Sequence, residues 1–430
     1  MGSIQFVAAA PASISLRGTG GTETSRVSFK VVDTGGNPLS GQLVTFGLST
    51  TVGGITLTPT PSTATSDAAG LVVTNVNSGT VSTPVRVTAS TAGTGGTTLT
   101  TQSNALTVTT GIPAQDSFSL SATKLNPEFR DVDGNTTVLT VRLADHFRNP
   151  VPDGTVVNFT SEGGSIVASC QTALGACSAT MTSQLPRPVN GRVTVLAYAV
   201  GEESFIDLNG NGVADLVPNE MLDTNGASSD MPEAFRDDNE NGIRDASETF
   251  IDFNNNNAFD AADGKFNGVL CNNVTAPPVG SSAGTCSTTK SIHVRGSLTI
   301  IFSGSTAFIS VISPATPIRL GACGGGINAV DLRIVDAVGN PLPVGTTITA
   351  ATTNGTMQGT STFIQTNTNL TPAAGAATHR IFIKDDGPAF VPPAVCVDPT
   401  PSGLLTVTVV TPAGGVTGQT TTTAQFTVLN

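Results

Sequence analysis

One segment occurs three times in the chain and constrains its fold more than any other feature. Val27–Asp33 (VSFKVVD) runs into Asn37-Pro38-Leu39, Leu139–Asp145 (LTVRLAD) into Asn149-Pro150-Val151, and Val330–Asp336 (VDLRIVD) into Asn340-Pro341-Leu342. Each alternates apolar and polar side chains with a period of two, the pattern of a half-buried strand. Each ends in Asp-x-x-x-Asn-Pro, a turn in which Asp and Asn bond nearby backbone and Pro presets φ. Three copies of a strand and its turn mean three copies of one β unit.

The copies stay in step downstream. Second strands follow at Gln42–Leu48, Thr155–Ser161 and Thr346–Thr352, then glycine turns at Gly53-Gly54, Gly163-Gly164 and Asn354-Gly355. An Ala-x-Gly step (Ala68-Ala69-Gly70, Ala173-Leu174-Gly175, Ala373-Ala374-Gly375) opens the next strand. Later strands are expected at Val85–Ser90, Arg192–Val200 and Leu404–Thr411, with closing strands at Asn104–Thr109, Ser297–Phe302 and Ala424–Leu429. Short strands with frequent turn signals read as β-sandwiches. Proline-containing joints at Val7–Leu16, Val108–Leu120 and Val311–Leu320 are expected to link the units semi-rigidly, with domains at 1–111, 112–310 and 311–430.

The turn after an alternating strand, the glycine turn and the Ala-x-Gly step resemble bacterial immunoglobulin-like repeats of the invasin/intimin type. The resemblance implies an all-β fold of three tandem immunoglobulin-like β-sandwiches. It also implies an extracellular or bacterial cell-surface location, with neighbouring immunoglobulin-like domains of a longer chain as partners. No outer-membrane barrel or lectin-like tip accompanies the repeats. The opening Met1-Gly2-Ser3 has neither the charged nor the apolar region of a secretory signal. It reads as a start joined to an internal segment, and Ile4–Val7 as the tail of a strand whose own domain has been trimmed.

Composition excludes other classes. The net charge is −12 with no Lys/Arg cluster, which argues against nucleic acid. No run of 18 apolar residues offers a membrane-spanning helix. The acids are also unevenly placed: residues 201–270 hold 16 Asp/Glu against 3 Lys/Arg, and the remainder of the chain 15 against 16. This block falls in an insertion at about 201–290, between the last two strands of the second domain. There it is expected to form a loop at one end of the sandwich.

A shorter repeat runs inside the insertion. Glu203-x-Phe205-x-Asp207, Glu233-x-Phe235-x-Asp237 and Glu248-x-Phe250-x-Asp252 share a pattern, and Glu220-Met221-Leu222-Asp223 is a degenerate copy. After Asp237, residues Asn239, Asn241, Gly242, Asp245 and Glu248 occupy positions 3, 5, 6, 9 and 12 of an EF-hand-type calcium loop. Asp252, Asn254, Asn256, Asp260 and Asp263 repeat the layout, with Asn257 in place of the glycine. Asp207, Asn209, Asn211 and Asp215 form a third copy in which Glu220 arrives two positions late. Asp223 and Asn225, with Asp230 and Glu233, form the weakest copy. No flanking helices are expected, so the array resembles the linked calcium loops of dockerin or thrombospondin type 3 repeats. The alternative is a solvated Asn/Asp/Gly loop. Amides at positions 3 and 5 lower the ligand charge, so calcium affinity is expected in the micromolar to millimolar range.

Six cysteines allow 15 pairings, and chain order favours Cys170–Cys177, Cys271–Cys286 and Cys323–Cys396. Zinc would require close Cys-x-x-Cys or His pairs, which are missing from the sequence. His146, His293 and His379 each stand alone without a nucleophile elbow, and there is no Trp and a single Tyr, Tyr198. Catalysis and sugar stacking are therefore not expected. The sequence points to a calcium-stiffened structural segment of a surface array, an adhesin stalk or matrix fibre. Two alternatives are an adhesin module that binds a host or matrix ligand through the insertion, and a fibre subunit that self-associates through its terminal strands.

Overall fold

Val, Thr and Phe dominate the alternating segments because β-branched and aromatic side chains suit a pleated, half-buried surface. The structure, a computed structural model, describes residues 2–215, 219–271, 286–320, 325–386, 402–412 and 418–429. The fold is all-β, a series of immunoglobulin-like sandwiches. In the first, a sheet ordered Ser3–Ala10, Thr24–Val32, Leu71–Asn77, Thr56–Thr58 faces a sheet ordered Thr98–Gln102, Val87–Ala92, Leu43–Leu48, Thr63–Thr65. In the second, Phe118–Ala122, Thr136–Leu143, Ala176–Thr182 and Ser165–Ile166 face Ser169–Gln171, Val156–Ser161, Arg192–Gly201 and Ile292–Ile301. The third repeats the plan around Ile327–Val335 and Ser402–Val410.

The recurring strand supplies each core. Val27, Phe29 and Val31 are fully buried, and Phe29 packs on Phe6 and Phe46 at centroid distances of 5.8 and 5.9 Å. Leu139 with Val141, and Val330 with Leu332 and Ile334, take the same places in the other two cores. Burying each such side chain contributes about 1.5–3 kcal/mol. The turn closes as its sequence demands, with Oδ1 of Asp33, Asp145 and Asp336 accepting the N–H of Asn37, Asn149 and Asn340 at 2.8–2.9 Å.

Two of the three segments expected to be joints, Val7–Leu16 and Val311–Leu320, carry first strands. Ser3–Ala10 pairs antiparallel with Thr24–Val32, Ile4 opposite Val31 and Phe6 opposite Phe29. Ile4–Val7 is thus the edge of the first sandwich's own sheet, not the tail of a trimmed neighbour. Past Pro11 the chain crosses to a three-stranded sheet, where Ser13–Ser15 pairs in parallel with Leu106–Thr109 and that strand in turn with Thr83–Val85. The third unit splits its first strand in the same way, into Phe308–Ser313 and Ile318–Arg319. Proline has no N–H for a ladder, so the strand divides there between two sheets. The boundary expected at 310/311 therefore lies earlier, because Phe308 pairs with Val335 and Ala307 joins the third core.

The insertion connects the two strands it was expected to connect, but it does not stay at the end of the sandwich. Arg192–Gly201 and Ile292–Ile301 pair along their whole length, so the insertion leaves and returns at one end of the second sandwich. From there it folds back over the outer face of that sheet. Val193, Val195, Ala197 and Ala199 face the core, while Thr194 and Leu196 face outward yet are 3% and 0% exposed. Thr194 Oγ1 donates to Asp237 O (2.8 Å), Arg236 to Thr160 Oγ1 and Ser161 O, and Arg295 to Pro232 O. Tyr198, His293 and Phe253 stack edge to face. The acidic block is amphipathic enough to cover a sheet, which its charge count conceals.

Candidate metal centre

Three loops of the insertion share one hydrogen-bond pattern. At position 1, Oδ1 of Asp207, Asp237 and Asp252 accepts the position-5 N–H, from Asn211, Asn241 and Asn256. Their Oδ2 accepts the position-6 N–H, from Gly212, Gly242 and Asn257, at 2.6–2.9 Å. The Nδ2 groups at positions 3 and 5 both reach Oδ2 of the position-9 aspartate. Asn209 and Asn211 meet Asp215, Asn239 and Asn241 meet Asp245, and Asn254 and Asn256 meet Asp260, all at 2.6–3.0 Å. Backbone handedness repeats too. Position 6 is left-handed at Gly212, Gly242 and Asn257, and so is position 4 at Gly210, Glu240 and Asn255.

Each loop is closed by a glutamate from the Glu-x-Phe repeat, buried to 0–5% exposure. Its carboxylate accepts the N–H groups of positions 2 and 9. Glu220 takes Leu208 and Asp215, and Glu248 takes Asp238 and Asp245. The late arrival of Glu220 leaves this role intact. In the third loop the glutamate is Glu233, from upstream, which takes Phe253 and Asp260. Asp263, expected at position 12 there, lies elsewhere.

Asp263 belongs to a fourth, discontinuous copy that contiguous spacing cannot reveal. Asp230 acts as position 1, its Oδ2 accepting Gly264 N–H (2.6 Å) with Gly264 left-handed. Asp263 Oδ1 accepts Lys265 N–H, as Asn211 Oδ1 accepts Val213 N–H. Glu203 accepts Met231 and Asn267 N–H, the equivalents of positions 2 and 9. Burial pushes the Glu203 carboxyl up to about 8 and that of Asp230 above its ordinary value, and Asp230 Oδ1 is buried without a hydrogen-bond partner. Sequence reading missed Glu203 and Asn267 as members of a loop, although Glu203 opens the Glu-x-Phe series. Asp223 and Asn225 make an ordinary turn instead: Asp223 Oδ1 accepts Asn225 and Ala227 N–H, which lowers its pKa.

The donor set suits a hard, oxygen-seeking cation. Each contiguous loop offers two aspartates, two carboxamides and a partly free glutamate, against the six to eight oxygens calcium takes. A half-turn of each carboxamide presents Oδ1 where Nδ2 now sits, and gives up the bond each Oδ1 accepts from the backbone N–H two residues on. Among the described residues no three His, Cys, Asp or Glu side chains are already gathered at metal-binding separation. What does converge in each loop is one Asp and two Asn. The disulfide Cys271–Cys286 joins the ends of the insertion's exit, and Cys170–Cys177 ties Ser169–Gln171 of one sheet to Ala176–Thr182 of the other in the second sandwich, where a hairpin staple was expected. Cys323 and Cys396 lie outside the described residues. The histidines pack on aromatic rings, His146 on Phe205 (4.2 Å) and His379 on Phe363, and burial lowers the pKa of both.

Fold and site together define a class: tandem immunoglobulin-like sandwiches, one of which carries an array of Asp/Asn/Gly loops on its outer face. No family model and no curated relative matches the sequence. Among solved structures the chain is similar to the D0-D1 domains of intimin (20% identity over 45% of this chain and 89% of that one, TM-score 0.23). It is also similar to FdeC, an adhesin of Escherichia coli (12%, 100% and 96%, 0.29). A Ca2+-stabilized adhesin with which an Antarctic bacterium binds ice matches over 100% and 99% of the two chains, at 13% identity and a TM-score of 0.20. No helix among the described residues is long and apolar enough to cross a membrane.

Proposed function

We propose that the chain is a structural, non-enzymatic segment of a bacterial surface or extracellular immunoglobulin-like array, an adhesin stalk or matrix fibre, stiffened by calcium held in its insertion. The observation that carries this reading is the recurrence of one loop geometry three times in sequence and once, in part, between two stretches distant in sequence. An incidental solvated loop has no reason to repeat its hydrogen bonds, left-handed positions and buried glutamate. The position of the insertion supports stiffening over ligand capture. It begins at the first joint, where Glu202 N donates to Pro113 O and Phe205 stacks on His146. It reaches the second through Glu240, which holds Arg192. Among its described residues the exposed large apolar groups are Ile206, Leu208 and Ile243, and none of them is aromatic. The neighbours in this reading are further immunoglobulin-like domains of a longer chain.

Without cations, 16 acids repel one another across a segment whose own core is small. Ion binding would order it, and binding free energy would become folding free energy. Calorimetry on chelator-stripped protein should show saturable heat on calcium addition, and the 201–290 segment should become protease-resistant in parallel. Absence of heat, or equal cleavage with and without calcium, removes calcium from the reading and leaves the β-sandwiches.

A further inference from the structure

The Asp-x-x-x-Asn-Pro turn does more than close a strand. At the first joint, Oδ2 of Asp145 accepts Thr110 N–H (3.2 Å) and the Thr109 hydroxyl, both at the exit of the preceding sandwich's closing strand. Asn149 Nδ2 reaches Ser82 Oγ of that same sandwich (3.2 Å). The second joint repeats both arms: Asp336 Oδ2 accepts Gly304 N–H (3.0 Å), and Asn340 Nδ2 donates to Asn190 O (2.6 Å). The contacted positions are equivalent. Leu16 and Phe129 donate their N–H to Thr109 O and Ser303 O, which aligns Thr110 with Gly304. Thr83 pairs with Val108, and Phe302 N–H bonds Gly191 O, which aligns Ser82 with Asn190. Asp145 and Asp336 are 0% and 1% exposed as a result.

The first sandwich carries the same turn, but every described hydrogen bond to the Asp33 carboxylate comes from within it, from Gly35 and Asn37. Asp33 is half-buried and Asn37 exposed. Gly2 N–H bonds Val32 O, so whatever chain leads into Gly2 arrives beside Asp33. We infer that Asp33 and Asn37 form a docking face for the closing-strand end of another immunoglobulin-like sandwich. Asp33 would take its exit N–H, and Asn37 an oxygen just ahead of its penultimate strand. This deepens the array reading by naming how a neighbour seats, and it is independent of calcium.

The register supplies the test. Ser3 pairs with Val32 as Phe308 pairs with Val335, and Leu320 N–H bonds Leu429 O as Phe129 N–H bonds Ser303 O. Leu429 therefore aligns with Ser303, and Ser3 with Phe308. Two copies of the full chain, joined from residue 430 to Met1 through one added serine, reproduce the step from Ser303 to Phe308. Small-angle scattering of this tandem should give one extended particle, and D33A in the second copy alone should shorten its maximum dimension by hinging the new joint. An unchanged dimension on D33A overturns the docking face. In the single chain, D145A and D336A should speed amide exchange at Thr110 and Gly304 by at least about tenfold, the effect of losing a charge-assisted hydrogen bond. There D33A, which breaks the same internal turn bonds, controls for the turn itself and should leave both amides unchanged. If all three variants leave Thr110 and Gly304 protected, the latch role falls even where the β-sandwich array stands.

Discussion

At position 6 of each loop the backbone is left-handed, and the residue there determines whether the loop closes without strain. Gly242 has φ of +79° and open space where a Cβ would sit, so G242A meets no clash and isolates the backbone cost. That cost is about 1–2 kcal/mol for an L residue. Asn257, with φ of 62°, already tolerates the conformation, and N257G should stay within about 0.5 kcal/mol of the parent. Chemical unfolding in calcium should show G242A lowering the stability of the insertion while N257G does not. Equal losses in both would mean that left-handed geometry is not what the two loops share. The same comparison explains what the sequence disclosed at this scale. Asn257 could be placed from composition and spacing, whereas Glu240 at position 4 carries no residue signature for its conformation.

Among the elements, the contact between the insertion and the outer sheet face is expected to respond to pH. Glu162 lies beneath it, with Asp238, Glu240 and Arg236 facing it and a long hydrogen bond from Thr194 N–H (3.4 Å). Burial, reinforced by the two acids, raises its pKa from 4.5 to about 7. A raised carboxyl pKa favours the neutral form in the folded state. The stability it contributes is therefore complete below about pH 4.5 and is lost as pH rises through about 7. Melting temperatures of metal-free protein should fall between pH 5 and 8, and E162Q should flatten that slope. Parallel slopes in the two proteins would clear Glu162 of the effect. The elements also show where sequence reading stops. The alternating strand and its Asx turn were legible because both are local. The split first strand was not, since the pairing of Ser13–Ser15 with Leu106–Thr109 spans the whole sandwich. Nor could spacing assign Glu233 to a loop that starts 19 residues later, or join Asp230 to Gly264. The acidic block looked like a solvated end loop because charge counts weigh the acids and overlook Ala234, Phe253 and Arg236, the groups that lie on or beside the sheet.

For the molecule as a whole, Arg192 connects the loop array to the second joint. Its guanidinium, 15% exposed, holds both oxygens of Glu240 at 2.6 Å and donates a third bond to Asn369 O (3.1 Å) of the last sandwich. Glu240 is position 4 of the second loop, so an ion that fixes residues 237–248 also fixes the arginine and, through it, the loop around Asn369. Asn126 anchors that loop independently, its Oδ1 accepting Thr368 N–H (3.1 Å). Removing Arg192 therefore loosens the coupling without undocking the domains. In the parent, calcium should slow amide exchange at Thr368 and Leu370 as well as within 237–248. In R192A the protection of 237–248 should persist while that of Thr368 and Leu370 no longer responds to calcium. R192K should behave like R192A, because an ammonium cannot hold two carboxylate oxygens and a carbonyl in one plane. Retention of the calcium response at Thr368 in both variants would mean that the stiffness of the joint is independent of the loop array, and that the insertion covers the sheet without bracing the chain.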